Sequence, residues 1–368
     1  MNPHNILLIK SHSMGIGDVL RSSAAWQALK RRWPNAKLHL LFLSRHPGYP
    51  TEQLIREHHL LESAHFITVT TDEPGSATSQ RLPSSAVYQA VDQALQKVPI
   101  DLIIDFEPGG MRTTLLTRRL ARQKKAVSIG IAQFPLRRYF YDHAAPSVRA
   151  YCKRLGLPLL MDYTEKDFVA LAALGIDRKD NNINLCVSQA GLAWQKEHLS
   201  NQDDLFTVTL NIGCGTNGAL PKRPPMAALI DCMVALYRAR PFRLHLSGAD
   251  FEATVNADFS RDFSNALDKQ GMGCEVRDWS GQCSLSQLTG LLAASNLVIS
   301  SDSGPYHMAV ALGVPTVCWF NFDTPPSYHR QKGVAVVINP STDDFVEAAR
   351  RVLERMALTL APSRDHVS

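Results

Sequence analysis

The stretch Leu297–Phe320, LVISSDSGPYHMAVALGVPTVCWF, constrains the fold more than any other part of the chain. Two apolar runs of the length and composition of buried strands, Leu297–Ser300 and Thr316–Phe320, lie at its ends. Between them the polar turn Ser301–Gly304 leads into a predicted helix, Pro305–Leu312. Strand, turn, helix and strand form a βαβ unit with parallel strands. The turn therefore lies at the carboxyl end of a strand, where open α/β sheets bind ligands.

This turn has two explanations. Backbone N–H groups of Ser303 and Gly304 at a helix N-terminus suit a phosphate group, and His307, one turn further, can donate a hydrogen bond to the same anion. Asp302, Ser303 and Gly304 are equally common as turn and capping residues without any ligand. The sequence of the turn alone leaves both explanations open.

Length and composition indicate a two-domain α/β enzyme. The 368 residues are too many for one ordinary core, and 45% hydrophobic with 20% charged residues is typical of a globular enzyme. No apolar run reaches the roughly 20 residues of a membrane span, and the chain begins directly with a strand. Seven cysteines are scattered singly, which favours reduced thiols, a cytoplasmic location and no zinc site.

Positive charge is concentrated in the first half of the chain, although the net charge is only +5. The cluster comprises Arg112, Arg118, Arg119, Arg122, Lys124 and Lys125, followed by Arg137 and Arg138. Such a cluster suits an anionic partner, which can be a phosphorylated glycolipid, a membrane surface or nucleic acid, and it equally suits a solvated helix face. Aromatic residues do not alternate with these charges, so we expect no nucleic-acid partner.

The N-terminus repeats the βαβ pattern. A strand at Ile6–Ile9 precedes a glycine-containing loop, Ser11–Gly17, and Asp18 is expected as the N-cap or first-turn acid of a long helix, Val19–Arg32. A second strand follows at Leu38–Leu43.

The loop of this first unit lacks the dinucleotide-binding fingerprint. Leu20 stands where the third glycine is needed, and the second strand is followed by Ser44 and Arg45 instead of an acid for the ribose. We therefore do not expect NAD in this half. Asp105 lies at the carboxyl end of a further predicted strand, Leu102–Phe106. This is the edge of a parallel sheet at which ligands bind.

The second half begins another alternation at the strand Phe206–Ile212. A glycine turn, Gly213–Thr216, and the cations Lys222 and Arg223 then precede a helix, which is a plausible phosphate cradle, although such cations are also ordinary at a surface. After the next strand, Glu252 is either a first-turn helix acid or a ligand contact.

We predict a first domain over residues 1–180, a second over 200–340, and a closing helix over 341–358 that can return to the first domain. Residues 175–204 form the transition, with a candidate strand at Ile183–Val187.

The string D-S-G-x-x-H-x-A-x-A-x-G-x-P, from Asp302 to Pro315, closely resembles the signature of glycosyltransferase family nine, the heptosyltransferases of lipopolysaccharide core assembly. Gly17-Asp18-Val19 and the Lys222-Arg223 pair also match the family, and the resemblance runs from Ile6 to about Met356. The chain departs from the family at Arg21–Ala24, where a proline is usual, and at Pro224, where a tryptophan is usual.

The resemblance implies the GT-B architecture, with two facing Rossmann-like domains and mostly parallel sheets. It implies an inverting, metal-independent transfer of heptose from ADP-heptose to a hydroxyl of a lipopolysaccharide core or related acceptor, without a cofactor. The implied partners are the nucleotide sugar and an anionic glycolipid or core oligosaccharide, with peripheral contact to the inner membrane.

The family also implies roles for individual residues. Asp18 would be the catalytic base. The donor would be bound by Gly213, Thr216, Lys222, Glu252, Asp302, Ser303, Gly304 and His307. The acceptor side would include Gly17, Asp105, Arg112 and Arg119.

Other functions fit the sequence too. A GT-B transferase that uses another nucleotide sugar would differ only in a base pocket that sequence does not reveal. A non-catalytic nucleotide-sugar-binding protein could retain the fold, although the presence of Asp18 and Lys222 favours an enzyme. An NAD-dependent sugar oxidoreductase would lack the third glycine and the ribose acid.

Overall fold

A computed structural model of the chain describes residues 2–12, 16–44, 50–70, 80–157, 164–179, 182–199, 205–213, 217–321 and 328–360. The chain divides into two compact units, Met1–Leu185 and Cys186–Ser368, called here the first and second units. The division falls inside the transition predicted for residues 175–204.

The first unit alternates strands with helices. Its strands are β1 Asn5–His12, β2 Lys37–Ser44, β3 Ser63–Thr68, β4 Leu102–Asp105, β5 Val127–Ile131 and β6 His143–Ala145. Its helices are α1 Ile16–Leu20, α2 Ser23–Arg32, α3 Pro50–Arg56, α4 Ser84–Ala94, α5 Met111–Lys124, α6 Val148–Leu155 and α7 Glu165–Leu171, with 3₁₀ helices at Pro135–Phe140 and Ala172–Leu174.

The second unit follows the same alternation. Its strands are β7 Thr207–Asn211, β8 Arg243–Ser247, β9 Val276–Asp278, β10 Leu297–Ser301, β11 Thr316–Phe320 and β12 Val334–Ile338. Its helices are α8 Gln189–Leu199, α9 Met226–Ala239, α10 Ala253–Asp268, α11 Leu285–Ala293, α12 Gly304–Ala311 and α13 Thr342–Leu360, with 3₁₀ helices at Asn217–Lys222 and Asp250–Glu252.

Each unit contains one six-stranded parallel sheet. The order is β3-β2-β1-β4-β5-β6 in the first unit and β12-β11-β10-β7-β8-β9 in the second, and the pairings within each sheet are parallel. Counted within its own unit, each sheet has the order 3-2-1-4-5-6 of the doubly wound Rossmann fold. The predicted α/β class with two Rossmann-like units is confirmed.

The central strands are buried because helices cover both faces of a parallel sheet. In β1, residues 6–9 have no exposed surface. In the second unit, β7, β8, β10 and β11 share one core with α9, α10 and α13. Helix α13 contributes Phe345, Ala349 and Val352 to this core.

The single helix predicted over Val19–Arg32 is wrong, because the structure has two helices, α1 and α2. The N–H of Arg21 still donates to Gly17 O (3.1 Å), but that of Ser22 donates to Val19 O, only three residues back (3.0 Å). The Ser22 hydroxyl donates to Asp167 Oδ2 (2.8 Å), which fixes the break. Asp18 is consequently the third residue of α1, so it is a first-turn acid, the second of its two predicted positions, and not an N-cap.

The candidate strand at Ile183–Val187 is also wrong. Its backbone bonds to side chains instead of a neighbouring strand: Asn184 N–H donates to Ser23 Oγ (2.8 Å), and Asn184 O pairs with His58 Nε2 (2.8 Å). Helix α8, which follows it, and the three-residue strand β6 were not predicted.

Candidate functional site

In the second unit, the turn after β10 presents the start of α12 as predicted. Ser303 occupies the N-cap position with an extended backbone (φ −148°), yet its side chain makes no capping bond. The Ser303 hydroxyl instead accepts from Asn211 Nδ2 (3.0 Å) and pairs with Ser300 Oγ (3.2 Å). The helix start therefore keeps its positive end without a side-chain cap, an arrangement that suits an anion.

The carboxyl end of β7 is held against that of β10. Gly213 O accepts from Asn211 Nδ2 (2.9 Å) and from Ser301 Oγ (2.6 Å). These bonds bring the predicted donor-side residues Gly213 and Ser303 to the same edge of the sheet. Thr216, also predicted on the donor side, lies outside the described residues.

Lys222 joins this edge through an ion pair. Its Nζ lies 2.7 Å from Asp302 Oδ2 and 3.3 Å from Asp302 O. The Lys222 side chain is 36% exposed and that of Asp302 only 10%, so the pair joins a nearly buried carboxylate to a partly exposed lysine. Two predicted donor residues, 80 positions apart, thus form one charged pair.

Glu252 is buried beneath the same loops. Its Oε2 accepts from Ala249 N–H (2.9 Å), and its Oε1 lies 3.5 Å from Arg223 Nη2. A Cβ built on Gly213 would lie 1.7 Å from Glu252 Oε1, so any larger residue at this position would have to displace the Glu252 carboxylate. Glu252 is thus a first-turn helix acid, one of its two predicted roles. Its contact with a ribose stays a prediction.

His307 is nearly buried beside Asp302. Its Nε2 lies 4.0 Å from Asp302 Oδ1, and its Nδ1 lies 2.8 Å from Nε2 of His329. His329 is 1% exposed, and its backbone N–H donates to the Tyr306 hydroxyl (3.0 Å). The sequence analysis did not identify His329, because this residue comes after strand β11, beyond the end of the motif, and belongs to no motif of its own.

In the first unit, Asp18 and Gly17 both lie in α1. The Asp18 side chain is 31% exposed and its Oδ1 lies 3.2 Å from Arg21 Nη1. Arg21 Nε in turn lies 3.9 Å from Asp167 Oδ2. The Asp18 carboxylate is therefore partly exposed and lies beside a cation.

Behind α1 lies a buried ionic cluster that sequence reasoning missed. Lys10 Nζ donates to both Asp167 oxygens (2.9 and 3.0 Å) and to Ser22 Oγ (2.6 Å). Burial by itself would raise the pKa of Asp167, but Lys10 and then Arg21 hold that pKa below its usual value. The cluster fixes the end of β1 against the break between α1 and α2.

Asp105, predicted on the acceptor side, is fully buried at the end of β4. It accepts from the Tyr141 hydroxyl (2.7 Å) and from Arg137 Nη2 (3.1 Å). Burial raises the pKa of Asp105 in spite of Arg137. The structure thus places this carboxylate beneath the sheet edge, where it holds Arg137, instead of on the surface.

The two predicted acceptor-side arginines are tethered along α5. Arg112 Nη2 donates to Leu82 O (3.2 Å), and Arg119 forms an ion pair with Asp92 and lies over the Tyr88 ring. Both guanidinium groups are therefore partly engaged by the segment around α4.

The described residues contain neither a metal-binding cluster nor a membrane-spanning helix. No cluster of three or more His, Cys, Asp or Glu side chains in them could hold a metal ion. Among the helices of the described chain, none combines the length and apolar character of a membrane span.

Residues 265–351, from α10 into α13, match the family model of glycosyltransferase family 9 (heptosyltransferase). The match includes the whole motif Asp302–Pro315. It confirms the resemblance and indicates a glycosyltransferase.

Solved structures support the fold over almost the whole chain. The glycosyl transferase family 9 protein from Veillonella parvula aligns with a TM-score of 0.66 and 15% identity, covering 96% of this chain and 98% of its own. The E. coli ADP-heptose LPS heptosyltransferase II aligns with a TM-score of 0.63 and 14% identity, covering 96% and 99%.

A third structure, the E. coli heptosyltransferase WaaC with ADP-2-deoxy-2-fluoro heptose, aligns with a TM-score of 0.60 and 19% identity, covering 95% of this chain and 99% of its own. At these identities the likeness concerns the fold, and it confirms the GT-B class. No curated protein sequence matches this one.

Proposed function

We propose that this chain transfers heptose from ADP-heptose to a hydroxyl of a lipopolysaccharide core or related acceptor, with inversion and without a metal ion. One observation carries the proposal: Asp302 holds Lys222 at 2.7 Å and lies 4.0 Å from His307, beside the uncapped start of α12. This arrangement lies within the part of the chain that matches the heptosyltransferase family.

The donor diphosphate would bind at the start of α12. N–H groups of Ser303 and Gly304 would donate to its oxygens, and Lys222 and His307 would supply positive charge. Asp302 would position both side chains, and the Lys222 side chain is 36% exposed, so a bound anion could reach it at this edge. Fixed donors of this kind stabilise the charge that develops on a leaving diphosphate.

Asp18 would act as the general base on the acceptor. As the acceptor oxygen bonds to the anomeric carbon, its proton passes to the Asp18 carboxylate, and the bond from that carbon to the phosphate oxygen breaks, which releases ADP. Attack from the face opposite to the leaving group inverts the anomeric centre. The Asp18 side chain is 31% exposed and lies 3.2 Å from Arg21 Nη1, so an acceptor hydroxyl can approach the carboxylate beside a cation.

We propose a cytoplasmic location with peripheral contact to the inner membrane. No disulfide joins the described cysteines, Cys152, Cys186, Cys232, Cys274, Cys283 and Cys318, as is usual in a reducing compartment. A glycolipid acceptor would be held at that membrane.

Calorimetric titration of ADP, UDP and NAD tests the donor half of the proposal. We expect ADP to bind the wild type and Asp18→Asn with equal affinity, and Lys222→Ala about tenfold more weakly, because a charged hydrogen bond of about 1.5 kcal/mol is lost. Lys196→Ala, a lysine on α8, is the control for removing a positive charge.

Transfer from ADP-heptose to a heptose-deficient core acceptor tests the catalytic half. Asp18→Asn should lower the rate roughly 10²–10⁴-fold with unchanged ADP affinity, since it removes the base alone. Preference for UDP would favour another donor sugar. ADP binding without any transfer by the wild type would favour a nucleotide-sugar-binding protein, and no nucleotide binding would refute the proposal.

A further inference from the structure

A surface of mixed apolar and cationic character lies on the first unit, where the 3₁₀ helix Pro135–Phe140 packs beside α5. We define the α5–3₁₀ surface as Leu115, Arg118 and Arg122 of α5 with Leu136, Arg138 and Tyr139 of the 3₁₀ helix. Leu115, Arg118 and Arg122 follow at intervals of three and four residues, so they share one helix face.

The apolar members of this surface are unusually exposed. Leu136 is 74% exposed, Tyr139 71% and Leu115 44%. Leucine and tyrosine side chains exposed to this extent are not stabilised by burial in the core of the first unit. Exposed apolar side chains that lie together mark an interaction site.

The 3₁₀ helix is held rigidly by the residue between Leu136 and Arg138. Arg137 is 1% exposed, and its guanidinium donates to Thr114 Oγ1 (2.6 Å), Ile131 O (2.9 Å) and Asp105 Oδ2 (3.1 Å). Because Arg137 is anchored inward, its two neighbours on the chain are presented to solvent. Their exposure is thus a fixed feature of the fold.

The cations of the surface are not balanced by carboxylates. Within the described part of the chain, Arg118, Arg122 and Arg138 form no ion pair, whereas Arg119 on the next face of α5 pairs with Asp92. Arg118 donates to Tyr139 O (3.2 Å) and lies over the Phe140 ring. The Arg118 and Arg122 side chains also border a recess of about 600 Å³ between α5 and the 3₁₀ helix.

We propose that the α5–3₁₀ surface docks onto the headgroup region of an anionic lipid bilayer. Leu136 and Tyr139 would enter the boundary between headgroups and acyl chains, and the three arginines would contact lipid phosphates. Charge complementarity favours this partner. The exposed apolar side chains match the acyl chains of the bilayer, and the arginines without ion pairs match its anionic headgroups. The inference deepens the membrane contact of the proposed function, on which it rests.

Flotation of the full chain with lipid vesicles tests the inference. Vesicles of phosphatidylcholine alone are compared with vesicles that also contain phosphatidylglycerol. We expect binding to the anionic vesicles, weakened by added salt. Arg122→Gln/Arg138→Gln should weaken it on the order of 25-fold, at about fivefold per cation.

Leu136→Ser/Tyr139→Ser tests the apolar half and should also lower binding at least tenfold, since both side chains would leave the acyl boundary. These substitutions are at exposed positions and spare the bonds of Arg137. Leu192→Ser/Arg351→Gln, with the same changes at exposed positions of the second unit, is the matched control and should bind as the wild type does.

Three results would overturn the inference: no vesicle binding, equal binding to both vesicle types, or unchanged binding by both surface variants. ADP titration of the same variants separates this outcome from failure of the proposed function. Normal ADP affinity without vesicle binding would refute the membrane surface alone, and the absence of ADP binding in the wild type would refute the transferase. Binding of the chain to a protein instead of vesicles would likewise contradict the inference.

Discussion

Nδ1 of His307 lies 2.8 Å from Nε2 of His329, with both imidazole rings nearly buried in the second unit. One nitrogen must donate and the other accept, so each ring fixes the orientation of its neighbour. His329 is itself held by the hydrogen bond from its backbone to the Tyr306 hydroxyl. His329 is therefore a positioning residue. It orients the His307 ring so that the other ring nitrogen, Nε2, lies toward Asp302 at the start of α12.

We predict that His329→Phe raises the dissociation constant for ADP about tenfold, because the ring volume is retained while the hydrogen bond that orients His307 is lost. His329→Gln, whose amide can still bond to His307, should restore most of the affinity. Calorimetric titration of ADP measures both variants. Equal affinities of the Phe variant and the wild type would contradict the positioning role. Equal losses in both variants would assign His329 to packing.

The elements nearest the motif could be predicted because local pattern determines them. Strands β10 and β11 are short apolar runs that are buried on both faces, and Gly313 ends α12 in the left-handed conformation (φ 76°). The capping box that Ser284 and Gln287 form at the start of α11 depends on local sequence in the same way. Such features need no information from distant parts of the chain.

Contacts between distant residues could not be predicted from one sequence. Lys10 and Asp167 are 157 residues apart, and the break after α1 depends on the bond from Ser22 to Asp167. Strand β6 has only three residues and no apolar run, so its pairing with β5 decides its conformation. In the candidate site, the motif identified His307 but held no sign of His329.

Gly213 offers a steric test of the loop that passes Glu252. We predict that Gly213→Ala lowers the free energy of unfolding by about 1–3 kcal/mol, because its methyl group overlaps the Glu252 carboxylate. That carboxylate can move away only if it gives up its contacts with Ala249 N–H and Arg223. Gly273→Ala is the control, since a Cβ there meets no atom within 4 Å. Urea unfolding followed by circular dichroism compares the two. Similar stability of both variants would mean that the Glu252 side chain moves freely.

The buried pair of Lys10 and Asp167 predicts both a stability loss and a pH dependence. Asp167→Asn should lower the free energy of unfolding by about 3–5 kcal/mol, because it leaves the Lys10 charge buried without its partner. The double variant Lys10→Met/Asp167→Leu removes both charges, so its free energy of unfolding should fall much less. Glu62→Gln removes a carboxylate from the exposed pair with Lys37 and should leave stability nearly unchanged.

The pKa of Asp167 is lower in the folded chain than in the unfolded chain, so the ionised carboxylate stabilises the fold above about pH 4. That contribution is lost as the pH falls through the lowered folded pKa. Urea unfolding at several acidic pH values should therefore give a steeper loss of stability for the wild type than for Lys10→Met/Asp167→Leu. Parallel pH profiles would contradict a lowered pKa of Asp167, because a carboxyl group with the same pKa in the folded and unfolded chain takes up no proton on unfolding.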